Sequence, residues 1–226
     1  MEDVYKSLFV ILPVGMMIGL IFYFTARKKR ELHQRLEAYC EQHGYQMDEI
    51  NQRLHRAVVI QGNGWQLTTG VQSSDVQTSS GSSYTFAYTR WETTPNTEND
   101  NPFVWLGTVS GSISRLGNNL LPLLTIFGID GTEHIHIVAL EEPLHRRFAM
   151  VADELPGISE AGAEMSRLLA DWPEYWPLRA TLGTNFAQIN VSGKKFDKPE
   201  DLDRIIRMGT GFLTYLESIN RPIKEL

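Results

Sequence analysis

Between Ser7 and Ala26 the chain runs for twenty residues, SLFVILPVGMMIGLIFYFTA, without a single charged side chain. In a helix rising ~1.5 Å per residue such a run is about 30 Å long, the thickness of a bilayer's hydrocarbon core. It predicts one transmembrane helix. A cleaved signal peptide would need a basic leader, a shorter apolar run and a small-residue cleavage site, whereas this leader is MEDVYK, with Glu2 and Asp3 against Lys6. The segment is therefore expected to stay on the protein as an anchor.

The residues inside and beside this run set the expected orientation and contacts. Arg27, Lys28, Lys29 and Arg30 follow it directly, and an excess of Lys and Arg marks the cytoplasmic end of a span. The same four side chains suit the anionic surface of a membrane. Gly15 and Gly19, four apart, share one helix face. Two bare positions there let a second helix come close, so association with another membrane protein or with a second copy is expected. Pro13 lacks an amide proton and should kink the helix.

The remainder is long enough for a sizeable core. We read 1–26 as the anchor, 27–44 as a juxtamembrane basic helix, and 45–226 as an α+β domain with flexible loops near 73–83 and 92–102. The net charge of -6 and the lack of a basic stripe beyond Arg35 exclude a nucleic-acid partner. One cysteine, Cys40, excludes an internal disulfide.

Leu32, Leu36, Tyr39 and Cys40 recur at helical spacing up to Gly44, a natural C-terminal cap. His33, Glu37, Cys40 and Glu41 follow the same periodicity and fit a charged, solvated face better than a metal site, because no zinc-ligand pattern accompanies them. AVVIQ and WQLTTGV flank Asn63-Gly64, a strong hairpin signal. YTFAYTRWE forms a further strand with Tyr84, Phe86 and Tyr88 on one face. Residues 103–121 are apolar and glycine-rich, compatible with a strand and turn or with a segment lying on a membrane. LPLLTIFGIDGTEHIHIVAL predicts a hairpin turning at Asp130-Gly131, and RRFAMVAD a following strand. Ser159 is placed to cap a helix carrying Met165, Leu168, Leu169 and Trp172. Trp172, Tyr175 and Trp176, beside prolines, are expected to pack a helix end onto the core. LRATL and AQINV are two more strands. The last helix starts near Pro199 and buries Leu202, Ile205, Ile206, Phe212 and Leu213, with Gly209 approaching the sheet closely. The fold class is thus α+β: an N-terminal transmembrane helix followed by a mostly antiparallel sheet domain with packed helices.

Chemical motifs are scarce. The sequence holds no GxSxG, no GxxxxGK[ST], no HExxH and no CxxC, so no nucleophile elbow, phosphate loop or zinc motif is present. His134 and His136, two apart on a predicted strand, point to the same face as paired metal ligands do. A third ligand is not fixed by spacing. No cofactor is expected.

The basic stop, the helix ending LEAYCEQHGY, the glycine-linked strands leading to SYTFAYTRWE, then RRFAMVAD and INVSGKKFDKPEDLDRIIRMG together resemble a group of bacterial membrane proteins with one N-terminal transmembrane helix and a cytoplasmic α+β domain. The resemblance implies that architecture and a bacterial inner-membrane location, with the N-terminus outside and the main domain cytoplasmic. It implies no activity. The expected role is an interaction or scaffold module at that membrane. The alternative is a membrane-tethered enzyme or metal-binding domain using His134 and His136.

Overall fold

The computed structural model describes residues 2–73, 84–94, 104–108, 135–153, 158–183 and 186–219, with the side chains of the first helix placed from Met16 onward. That helix, α1 (Glu2–His43), is continuous through the apolar run and the basic cluster. It ends where the sequence predicts. Gly44 adopts φ +69°, its amide reaches Glu41 O at 3.2 Å, and the Tyr45 amide reaches Cys40 O at 2.8 Å. These two bonds satisfy carbonyls that a helix end otherwise leaves unpaired, and the positive φ favours glycine at that position.

The single-pass span expected over Ser7–Ala26 is corrected here, and with it the inner-membrane placement with an outside N-terminus and a cytoplasmic domain. Among the described residues no helix is long and apolar enough to cross a membrane.

Among the described residues nine strands form one sheet, with every pairing antiparallel. The first four are β1 (Gln46–Asn51), β2 (His55–Gly62), β3 (Trp65–Ser73) and β4 (Thr85–Thr93). They make a meander whose β2–β3 turn is Asn63-Gly64, with Gly64 at φ +77°. β5 (Val104–Thr108), β6 (Ile135–Val138), β7 (Phe148–Asp153), β8 (Leu178–Gly183) and β9 (Phe186–Ser192) complete it, in the order β1-β2-β3-β4-β9-β8-β5-β7-β6. Two further helices are α2 (Ile158–Leu169) and α3 (Pro199–Ile219). Helix α2 begins one residue before Ser159, so Ser159 lies in its first turn and is not the cap.

Side-chain alternation sorts the sheet into two faces. Ile60, Leu67, Trp91, Ile189, Ala180 and Leu106 lie on the inner face and are buried. Leu202, Ile205 and Phe212 of α3, Met165 and Leu169 of α2, and Leu36 and Cys40 of α1 join the same core. Gly209 allows α3 to sit close, since a Cβ there would stand 2.3 Å from the Trp91 ring. Trp172 and Trp176 are buried at the end of α2 as expected, with Trp176 packed on Phe196 at 4.4 Å between ring centroids. Tyr175 is exposed, with Lys194 Nζ 5.0 Å from its ring centroid.

Thr69 and Thr89 are buried in this core and both are satisfied. Thr69 Oγ1 accepts the Phe196 amide at 2.8 Å and lies 2.8 Å from Thr89 Oγ1. Their hydroxyl protons can reach each other or the carbonyls of Phe196, 3.0 Å from Thr69 Oγ1, and Lys194, 3.1 Å from Thr89 Oγ1. The loop after β9 is thereby fastened across β3 and β4, and no polar atom of the pair is left without a partner.

The hairpin turn at Asp130-Gly131, most of 103–121 and the loops near 73–83 and 92–102 lie outside the described residues, apart from their strand ends. Strand β6 pairs with β7.

Candidate functional site

The helices cover the inner face, and the outer face of β2, β3, β4, β9 and β8 carries a different set of side chains. Antiparallel pairing brings directly opposed residues onto the same face about 5 Å apart, so rows can be read from the register. One row is Thr68, Arg90, Asn190 and Arg179. The next is Gln61, Gln66, Glu92, Gln188 and Thr181. The first row, with Gln66, Glu92 and Gln188 of the second, forms the floor of a groove of about 710 Å³. An adjoining depression of about 510 Å³ at Gly62, Gly64 and Trp65 shares Gln66 and Glu92 with it.

Hydrogen bonds order the floor. Arg90 Nε donates to Asn190 Oδ1 at 2.9 Å, and Gln66 Nε2 donates to Glu92 Oε1 at 3.4 Å. Arg179 and Arg90 are both exposed, and neither forms an ion pair with a described residue.

At the other end of the groove His55 and Tyr88 meet across β3. Their rings stack at 5.9 Å between centroids, and His55 Nε2 is hydrogen-bonded to the Tyr88 hydroxyl. The residue beneath them is Gly70, paired with Ala57 on one side and Tyr88 on the other. A Cβ at Gly70 would stand 2.3 Å from Arg56 O. The bare position lets β3 lie close against the β2 backbone at Arg56 and Ala57. Burial pushes the Tyr88 phenol above its usual range, with Glu92 adding to the rise and Arg90 opposing it. A phenol held in its neutral form is suited to donate to an imidazole nitrogen. Phe86, two residues before Tyr88 on the same face, is 48% exposed.

The residues singled out by sequence are not part of this groove. Arg27, Lys28, Lys29 and Arg30 are exposed along α1, with Arg27 paired to Glu31 at 2.9 Å. Gly19 has open space where a Cβ would point. The surroundings of Gly15 lie outside the described side chains. His134 lies outside the described residues. His136 stands opposite Ala152 on the helix-bearing side at the edge of the sheet, while Ile135 and Ile137 point to the other side. Among the described residues no group of three or more His, Cys, Asp or Glu side chains is arranged to hold a metal. His33 lies 3.1 Å from Glu49 and 3.2 Å from Glu37, whereas Cys40 is buried with its thiol pKa raised by burial.

The groove residues His55, Arg90, Arg179 and Asn190 were not legible as a site. Alternation assigns each to a solvated strand face, but only the strand order places β9 and β8 beside β4. No protein-family model matches the chain, and no curated protein sequence does. A solved structure, the mycobacterial trehalose monomycolate transport factor A, superposes with a TM-score of 0.47 at 12% identity, over 87% of this chain and 99% of that one.

Proposed function

We propose that this chain is an interaction module, with α1 as one contact surface and the open sheet face as another. The observation that supports it is the apolar arm of α1. From Met16 to Phe24, eight large apolar or aromatic side chains are each 46% to 72% exposed. They point in every direction around the helix, and an exposed apolar area of this kind marks a contact surface. The occupant we assign to it is a second apolar helix, from another copy of the chain or from a partner protein. Gly19, with Gly15 one turn earlier, offers the face on which two helix backbones can approach closely.

The test is site-specific cross-linking of the full-length protein from a photoreactive residue at Ile18, in the wild type and in the Gly15→Leu/Gly19→Leu variant. Two leucines on that face block close approach. The expected outcome is a discrete cross-linked species, self or partner, that is lost in the variant while thermal unfolding of the body is unchanged. A cross-link pattern identical in both proteins would remove the glycine face from the reading. Absence of any cross-link in the wild type would remove the helix contact altogether.

A further inference from the structure

We infer that the groove on the outer sheet face is a docking site for an extended peptide segment of a partner protein that carries a carboxylate side chain and an apolar side chain four residues apart. This deepens the reading of the chain as an interaction module and rests on it. The carboxylate subsite is the Thr68–Arg90–Asn190–Arg179 row. Arg90 spends Nε on Asn190 Oδ1, so the terminal nitrogens of its guanidinium remain for an incoming group. Arg179 faces the same Asn190 from the opposite strand. Two guanidinium groups flanking one amide, with no carboxylate of the described chain paired to either, favour a carboxylate supplied from outside.

The rest of the groove decides what bears that carboxylate. Among the described residues its one acid is Glu92, which lies in the adjacent row and is engaged by Gln66. A polyanion would meet that acid and a chain of net charge -6. Gln66, Gln72, Gln188 and Asn190 line the floor, and primary amides both donate and accept, as peptide backbone does. Phe86 then provides an exposed apolar seat at the far end. Phe86, Tyr88 and Arg90 are alternate residues of β4 on one face. At ~3.4 Å per strand residue, Phe86 and Arg90 are about 14 Å apart. An extended peptide spans that distance with side chains four positions apart, both on one side of the strand.

The experiment uses full-length protein and a labelled peptide with a central phenylalanine and a glutamate four positions to either side, so that both strand directions are allowed. Serine and threonine fill the gaps. Binding is measured by fluorescence anisotropy against the same peptide with glutamine in place of glutamate, and with inorganic phosphate as competitor. We expect a Kd below about 1 mM for the glutamate peptide and a loss on the order of tenfold for the glutamine peptide. Arg90→Gln with Arg179→Gln should abolish the difference between the two peptides, and Phe86→Ser should weaken both. The Lys pair, Arg90→Lys with Arg179→Lys, keeps the charge and should retain part of the preference. It serves as the test if the Gln pair does not fold.

Equal affinity for the two peptides, or no binding of either, overturns the inference. Displacement by phosphate as effective as by peptide also overturns it, by reducing the site to a bare anion site. Each of these failures is distinct from failure of the helix contact, which is read separately by cross-linking from Ile18.

Discussion

The two ends of α1 belong to one uninterrupted helix and are built for opposite surroundings. From Leu32 to His43 the helix is amphipathic: Leu36 and Cys40 are buried, Tyr39 is partly buried, and Glu37, Ala38 and Glu41 face solvent. From Met16 to Ala26 it is apolar on every side and no described residue there is buried. A stripe is what a helix needs to dock on one surface, whereas an all-round apolar segment needs contacts on more than one side. Of the described side chains of α1, the body buries only those in its C-terminal part.

The largest effect should separate these halves directly. Leu36→Ala removes a side chain that is 4% exposed within the main core, and should lower the unfolding free energy by about 2 to 5 kcal/mol. Met17→Ala, at 58% exposure, should change it by less than about 0.5 kcal/mol. Urea titration of both variants checks this. Comparable losses would mean that the apolar arm is packed on the body after all.

A smaller effect tests the platform on which the docked half rests. Helix α3 contributes Asp203 near Tyr39 and holds its place through Gly209 against Trp91. Gly209→Ala puts a methyl group into the indole ring. Overpacking of that kind costs about 1 to 3 kcal/mol, offset by up to about 1 kcal/mol of improved helix propensity. A net loss of about 1 kcal/mol in chemical denaturation is expected. A gain would show that α3 can lift from the sheet at little cost.

How much of this was readable in the chain depends on the range of the interaction. Local chemistry was legible: Pro199 opens α3, Gly44 closes α1, and Asn63-Gly64 turns β2 into β3. Strand β1 was not, because QMDEIN places Asp48 on the outer face and Glu49 on the inner one, which hides the period of an edge strand. The groove depends on Arg90 meeting Asn190, 100 residues away. Alternation tells which face a side chain takes and says nothing of which strand will lie beside it.

The smallest expected effect at neutral pH lies at the junction of α1 and α3. Tyr39 Oη is buried and has no hydrogen-bond partner at bonding distance, although burial first and then the nearby Asp203 carboxylate hold its phenol well above the ordinary range. Tyr39→Phe therefore removes a polar atom that gains little from its surroundings, and should alter stability near pH 7 by less than about 0.5 kcal/mol. The alkaline limb carries the sharper consequence. A phenol whose folded pKa is raised binds its proton more tightly when folded than when unfolded, so stability is fully present below the usual phenol value of about 10 and is lost as pH rises above it. Wild-type protein should lose stability above pH ~10, and Tyr39→Phe should lose less over the same interval, as read by urea midpoints across the titration. Tyr45 and Tyr88 are shifted in the same direction, so part of the limb should persist. An alkaline limb unchanged by the substitution would place Tyr39 in contact with water, and would mean that the docked half of α1 is held by Leu36 and Cys40 alone.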